Sequence, residues 1–330
     1  MSNNSILKKN IFVLLMLLGI ALVAFSSTFF YVRINKNPDA NKAEIKVVTS
    51  CNPVYIACLN ICEGVEGVSV TNLSQPTTGC LHEYQLTTAD MKSLADADVL
   101  VVNGGGMEGY LSDVMEAYPM LKIVDSSQGI VDKLIIDFLD EEHDHEEEMA
   151  DHDEEVHHED NHNHGGVNSH TWMSPDCFSG QCEYIAKELC EVAPSKAEAF
   201  MANSNAYCDE IKASLNNVIA RSKKEFAGSK AVILHEACEY VANDLDMVVV
   251  SCMDLDEERQ VSAGEIAEMV ELMKAEQVKT IFAEEDYGKD MAVILAKETG
   301  ARVVYIKTLI RGNYSKDSYT KIMLENYGIS

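Results

Sequence analysis

The chain has 330 residues, 47% of them hydrophobic and 24% charged, which is long enough for two domains with cores of their own. Its 54 acidic residues against 26 basic ones give a net charge of −28. That balance speaks against nucleic acid or an anionic lipid surface as partner and suits a cation as ligand.

The N-terminus sets the compartment. The basic flank "SILKKN" is followed by Ile11–Val32, 22 residues without a charge. A signal h-region usually runs about 7–15 residues, whereas 18 or more is the length of a membrane span. Lys8 and Lys9 stay inside, so the rest of the chain is exported. No cysteine precedes Cys51, so no lipidation site is visible. Residues 1–34 read as an uncleaved membrane anchor, with a cleaved signal peptide as the alternative, and residues 35–44 as a polar spacer. The ten cysteines are scattered without a CxxC pair, some at helical spacing such as Cys58 with Cys62. They read mainly as small buried apolar residues.

From Glu44 onward strands and helices alternate. "EIKVVTS", "VSVTNLS", "DVLVVN" and "LKIVDSS" read as strands, with helices between them at "VYIACLNI", "TTADMKSLADA" and "YLSDVMEAY". After residue 175 the pattern turns helical, and the segment following Pro194 keeps helical spacing for about 30 residues, or about 45 Å. A second alternation follows, with strands at "KAVILHEA", "MVVVSCM", "VKTIFAE" and "ARVVYIKTL". The fold expected is α/β: two lobes with mainly parallel sheets, joined by one long rigid helix, with a ligand cleft between them. The lobes span 45–175 and 229–330, and the helices between them 176–228.

Within the first lobe, residues 140–164 carry 13 Asp and Glu and no base. The tract has almost nothing apolar to bury, so 140–168 reads as a loop without structure of its own. His143, His145, His152, His157, His158, His162 and His164 lie in it. They form no fixed site, but imidazoles that are mostly neutral near pH 7 take a metal ion weakly, and the carboxylates concentrate cations around them. The tract therefore reads as an accessory collector. His82, His170 and His235 lie outside it, in "GCLHEYQ", "HTWMSP" and "AVILHEACEY". His235 falls at the carboxyl end of a strand, where open α/β sheets face their ligand crevice. Three imidazoles converging from two lobes suit a tetrahedral ion such as Zn2+, which takes nitrogen at ~2.0–2.1 Å.

The order of "GCLHEYQLTTADMKSLADADVLVVNGGGMEGYL", "HTWMSP", "AVILHEACEYVANDLDM" and "IFAEEDYGKDMAVILAKETGARVV" resembles that in the substrate-binding proteins of zinc and manganese ABC importers. The likeness covers residues 45–330 and is strongest to the zinc, or ZnuA-type, branch. It implies a receptor rather than an enzyme: two lobes, a rigid linking helix, and Zn2+ as the transported ligand held by His82, His170 and His235. It also implies an ABC importer permease as partner; the chain itself reads as a monomer, held at the membrane by its N-terminal segment. Manganese members tend to carry a carboxylate where this chain has His235.

The chain departs from that family at Cys80-Leu81, at Met173-Ser174, and after the last strand, where the family's Asp is missing. The fourth ligand is thus open between water, Asp286 and Cys80. A manganese or iron receptor of the same family and a metal buffer without a transporter are the alternatives. A zinc hydrolase fares worse, because neither His82-Glu83 nor His235-Glu236 completes H-E-x-x-H: Leu86 and Glu239 stand at the fourth positions. "GGGMEG" fits G-x-G-x-x-G through Gly104, Gly106 and Gly109, yet it follows a later strand and precedes a short helix, so it reads as a tight turn.

Overall fold

The computed structural model describes residues 45–75, 78–79, 81, 84–135, 166–255, 259, 261–284, 287–312 and 314–329. The anchor or signal segment and the acidic tract through residue 165 lie outside them.

The first sheet contains β1 (Ile45–Thr49), β2 (Val68–Asn72), β3 (Val99–Val102) and β4 (Lys122–Asp125) in the order β2-β1-β3-β4. The second contains β5 (Lys230–Ile233), β6 (Val248–Cys252), β7 (Thr280–Glu284) and β8 (Arg302–Ile306) in the order β6-β5-β7-β8. Every strand pairing is parallel, as expected where helices connect the strands. The inner strands β3 and β7 are buried along their whole length, which is why "VLVV" and "TIFAE" show little alternation. Parallel pairing also puts all four carboxyl ends of a sheet on one side, and the polar residues discussed below follow those ends.

Local chemistry sets the helix boundaries. Helix α1 (Asn52–Ile61) opens with Pro53, and α2 (Thr88–Ala95) with a reciprocal capping box between Thr87 and Asp90. Helix α3 (Leu111–Ala117) is short and follows the glycine turn. In the second half, α6 (Glu239–Asp244) follows a turn at Glu236–Cys238, and α7 (Ala263–Ala275) starts with the Ser262–Glu265 capping box. Helix α8 (Lys289–Thr299) ends at Gly300, whose φ of 73° is the left-handed cap that glycine adopts without steric cost.

Between the sheets run α4 (Pro175–Val192) and α5 (Ala197–Phe226). The 30 residues of α5 match the expected length, and its buried stripe of Phe200, Ser204, Tyr207, Ile211, Leu215 and Phe226 follows helical spacing. Asn203 Nδ2 donates to the carbonyls of Ile61 and Glu63 beside α1, at 3.0 and 2.9 Å. The final helix, α9 (Ser318–Gly328), is absent from the pattern read off the sequence. It returns to α5, where Ser222 Oγ donates to Tyr327 O at 2.6 Å, and to α4, where Tyr319 stacks on Phe178 with ring centroids 3.8 Å apart.

Both sheets lie in one compact unit, Ile45–Ser330. A single apolar cluster runs from Val47 and Val101 of the first sheet through Trp172, Phe178 and Leu215 to Ile233, Phe282 and Ile306 of the second. Nine cysteines fall among the described residues, with no disulfide between them, and most are buried in this core. Burial pushes the Cys58 thiol well up, and Cys62 up to about 12, so both behave as small apolar groups at neutral pH.

The glycine turn after β3 has φ of 82°, 64° and 91° at Gly104, Gly105 and Gly106. A Cβ on Gly104 would sit 1.7 Å from Asp125 Oδ1. Gly104→Ala is therefore expected to lower unfolding free energy by about 3 kcal/mol, from backbone strain plus steric conflict, read as a shifted urea midpoint.

Candidate metal centre

His170 belongs to a segment tied to both halves of the molecule. Toward the first sheet, Asn103, just past β3, donates from Nδ2 to Ser169 O at 2.7 Å, and its Oδ1 accepts from Thr171 Oγ1 at 3.1 Å. Gln181 Nε2 of α4 also donates to Asn103 Oδ1, at 3.0 Å. The segment then makes a tight turn at Thr171–Met173 and enters α4 at Pro175.

Asn103 is in turn held by a buried carboxylate. Glu108 accepts from Ser50 Oγ at 2.6 Å, from Asn103 N at 2.8 Å and from Gly104 N at 3.0 Å. The three donors favour the ionised form, but burial outweighs them and pushes the carboxyl up to about 7.

His235 lies two residues beyond β5, in extended backbone with φ −147° and ψ 136°. The sequence reading ended the strand on it. β5 in fact stops at Ile233 and the chain continues extended, so the imidazole still emerges at the carboxyl end. Its Nδ1 is 3.1 Å from Glu284 Oε2, on the last residue of β7. Thr308 Oγ1, just past β8, donates to Glu284 Oε1 at 2.5 Å. Thr308 O accepts from Trp172 Nε1 at 2.8 Å, which joins the second sheet to the His170 segment.

The two imidazoles meet edge to face with centroids 5.0 Å apart. His170 Nδ1 is 3.0 Å from Glu236 Oε1, the residue after His235. Both side chains are nearly dry: His170 is 0% exposed and His235 7%. An ionised carboxylate only accepts, so a proton on Nδ1 of each ring satisfies it and Nε2 is left as the nitrogen that can ligate. A carboxylate behind an imidazole fixes the tautomer and the ring orientation and raises the basicity of the ligating nitrogen. Each carboxylate also adds negative charge beside the rings in a low-dielectric place, which favours a cation over a neutral or anionic guest.

The structure thus brings together His170 and His235. His82, Cys80 and Asp286 lie outside the described residues, as do His143, His145, His152, His157, His158, His162 and His164. Among the described residues no group of three or more His, Cys, Asp or Glu side chains has the geometry to hold a metal ion. The sequence reading missed Glu236 as a partner of His170, Glu284 as a partner of His235, and Asn168. Glu284 had a signal, since it ends an apolar strand at the carboxyl edge of the sheet. Asn168 had none beyond standing two residues before His170.

Two four-stranded parallel sheets, with one 30-residue helix between them in the chain and polar groups gathered at the strand ends, make up the fold. Residues 47–328 match the family model ZnuA, zinc-uptake complex component A periplasmic, and the chain belongs to that family. It is 28% identical over 270 residues to the zinc-binding protein AdcA of Streptococcus pyogenes serotype M3, covering 81% of this chain and 51% of that one. The chain therefore spans about half the length of the curated relatives it matches first. It is 25% identical to the iron-binding protein YfeA of Yersinia pestis, covering 87% of this chain and 86% of the relative. Among solved structures, FpvC of Pseudomonas aeruginosa in complex with Mn2+ superposes with a TM-score of 0.70 at 21% identity, covering 86% of this chain and 96% of that one.

Glu108 gives the region a pH dependence. Its folded carboxyl is raised to about 7 from an ordinary value near 4.5, so its contribution to stability is complete below about pH 4.5 and is lost as pH rises through about 7. Urea unfolding at pH 5 and pH 8 should differ by up to about 3 kcal/mol more in the parent than in Glu108→Gln, where that slope disappears.

Proposed function

We propose that this chain is an extracytoplasmic receptor that binds Zn2+ with high affinity and delivers it to an ABC-type importer. The observation that carries the reading is the pair His170 and His235, with rings 5.0 Å apart and each Nδ1 on a carboxylate. Imidazole nitrogen suits zinc better than the hard oxygen-seeking ions. Family membership supports the direction of the function, and the name of the streptococcal relative supports the metal.

His82 is the third ligand in this proposal. Water fills the fourth position, with Asp286 and Cys80 as the protein alternatives. The lobes are 45–175 and 229–330, linked by the helices of 176–228, and the uncharged segment within residues 1–34 holds the receptor at the membrane. The protein acts as a monomer and carries out no covalent chemistry; binding and release are the function. The tract at 140–164 collects zinc ahead of the cleft and is dispensable for the tight site.

The test is calorimetric titration of the metal-free protein with zinc against a competing chelator, with and without residues 140–164. One tight site should survive the deletion while weaker sites vanish. His170→Ala or His235→Ala should weaken the tight site by more than the roughly 10–100-fold that losing an outer partner costs. Loss of tight binding with the tract alone would make the protein a tethered buffer instead. A second measurement addresses the metal: His235→Asp should move preference from zinc toward manganese, as a hard oxygen replaces a nitrogen. Unchanged selectivity in that variant would remove His235 from the ligand set.

A further inference from the structure

Asn168 is 0% exposed, and its side chain faces both halves of the chain. Its Oδ1 accepts from His170 N at 3.1 Å and lies 3.3 Å from His170 Nδ1. Its Nδ2 donates to Glu236 O at 2.9 Å and to Glu239 Oε2 at 2.8 Å, both in the second half. Tyr240 OH, also from the second half, donates to the Asn168 carbonyl at 2.9 Å. A primary amide has two donor protons and one carbonyl oxygen, and all are engaged. The amide cannot turn over, since that would set its oxygen against the Glu239 carboxylate and the Glu236 carbonyl.

The segment carrying Asn168 and His170 is fastened to the first sheet through Asn103. Parting the lobes would therefore stretch the bonds from Asn168 to Glu236 and Glu239 and the Tyr240 bond. It would also pull Glu236 away from His170 Nδ1, where it stands at 3.0 Å. One motion would remove both a contact that spans the lobes and the carboxylate that orients the imidazole.

We infer that Asn168 is a positioning residue, an interlobe latch whose hold on Glu236 and Glu239 sets how fast the bound ion is released. The inference rests on the proposed zinc site. Release requires these bonds to open, and differences in affinity at one site fall mostly on dissociation, so the latch acts on dissociation more than on association. The side chain must be an amide: an aspartate here would place a second carboxylate against Glu239.

Reversing the polarity tests this without changing side-chain size. Asn168→Asp should speed zinc dissociation from the full-length protein, followed by chelator chase, by about 10–100-fold, with association changed less than about threefold. Glu239→Gln alone should be mild, because Asn168 can still donate to the side-chain carbonyl that the substitution leaves in place. In the double variant, Asn168→Asp with Glu239→Gln, the new carboxylate faces an amide donor instead of a second carboxylate. It should recover at least tenfold of the lost residence time. A metal-free readout separates the latch from the zinc reading: amide exchange at residues 168–173 and 236–241 should quicken in Asn168→Asp and slow again in the double variant. Parent-like dissociation in Asn168→Asp, or a double variant no better than the single, overturns the latch while the zinc site stands. Absence of tight zinc binding in the parent overturns the site and the release role together, leaving the exchange result to report on the contact alone.

Discussion

A ligating imidazole needs one nitrogen bare and the other paired, and in this protein the pairing of His170 crosses from one half of the chain to the other. Glu236 follows His235 in the second half and stands behind His170 in the first. His235 takes its carboxylate from β7 of its own sheet. The two rings are thus unequal: one is set by its own sheet and the other only when the halves are together. The remaining construction serves that condition. Parallel strands bring their carboxyl ends to one side, the glycine turn after β3 holds Asn103 beneath the His170 segment, and Glu108 holds the turn.

The linking elements limit how far the halves can move. A single apolar cluster runs through both sheets and the helices between them, so the halves share a core rather than touching through a wet seam. Helix α5 binds α1 at one point along its length and α9 at another, and α9 carries Tyr319 and Tyr327 back onto α4 and its approach. Large rotations would expose this surface at about 25 cal/mol per Å² of apolar area, which favours small displacements near the strand ends.

The sequence showed the architecture readily because its signals are local. Alternating apolar runs, the Thr87 and Ser262 caps and Gly300 each mark an element within a few residues of themselves. Helix α9 escaped because its Tyr319, Met323 and Tyr327 stripe follows a polar stretch and was not read as an amphipathic face. The centre was legible only in part. His170 and His235 stood out as residue types in the right places, but their partners lie 66 and 49 residues away and no periodicity connects them. Asn103, Thr308 and Glu239 were equally silent, since each acts through a contact made only when the chain has folded.

Trp172 is the chain's one tryptophan. It is fully buried, its ring centroid lies 5.3 Å from that of His170, and its indole donates to Thr308 across the halves. The molecule therefore carries a single indole at the junction where both halves and the candidate centre meet. Its emission comes from one place rather than an average over many. The chain is in effect built with its own optical gauge of that junction, sensitive to the charge on the neighbouring imidazole and to the bond that spans the halves.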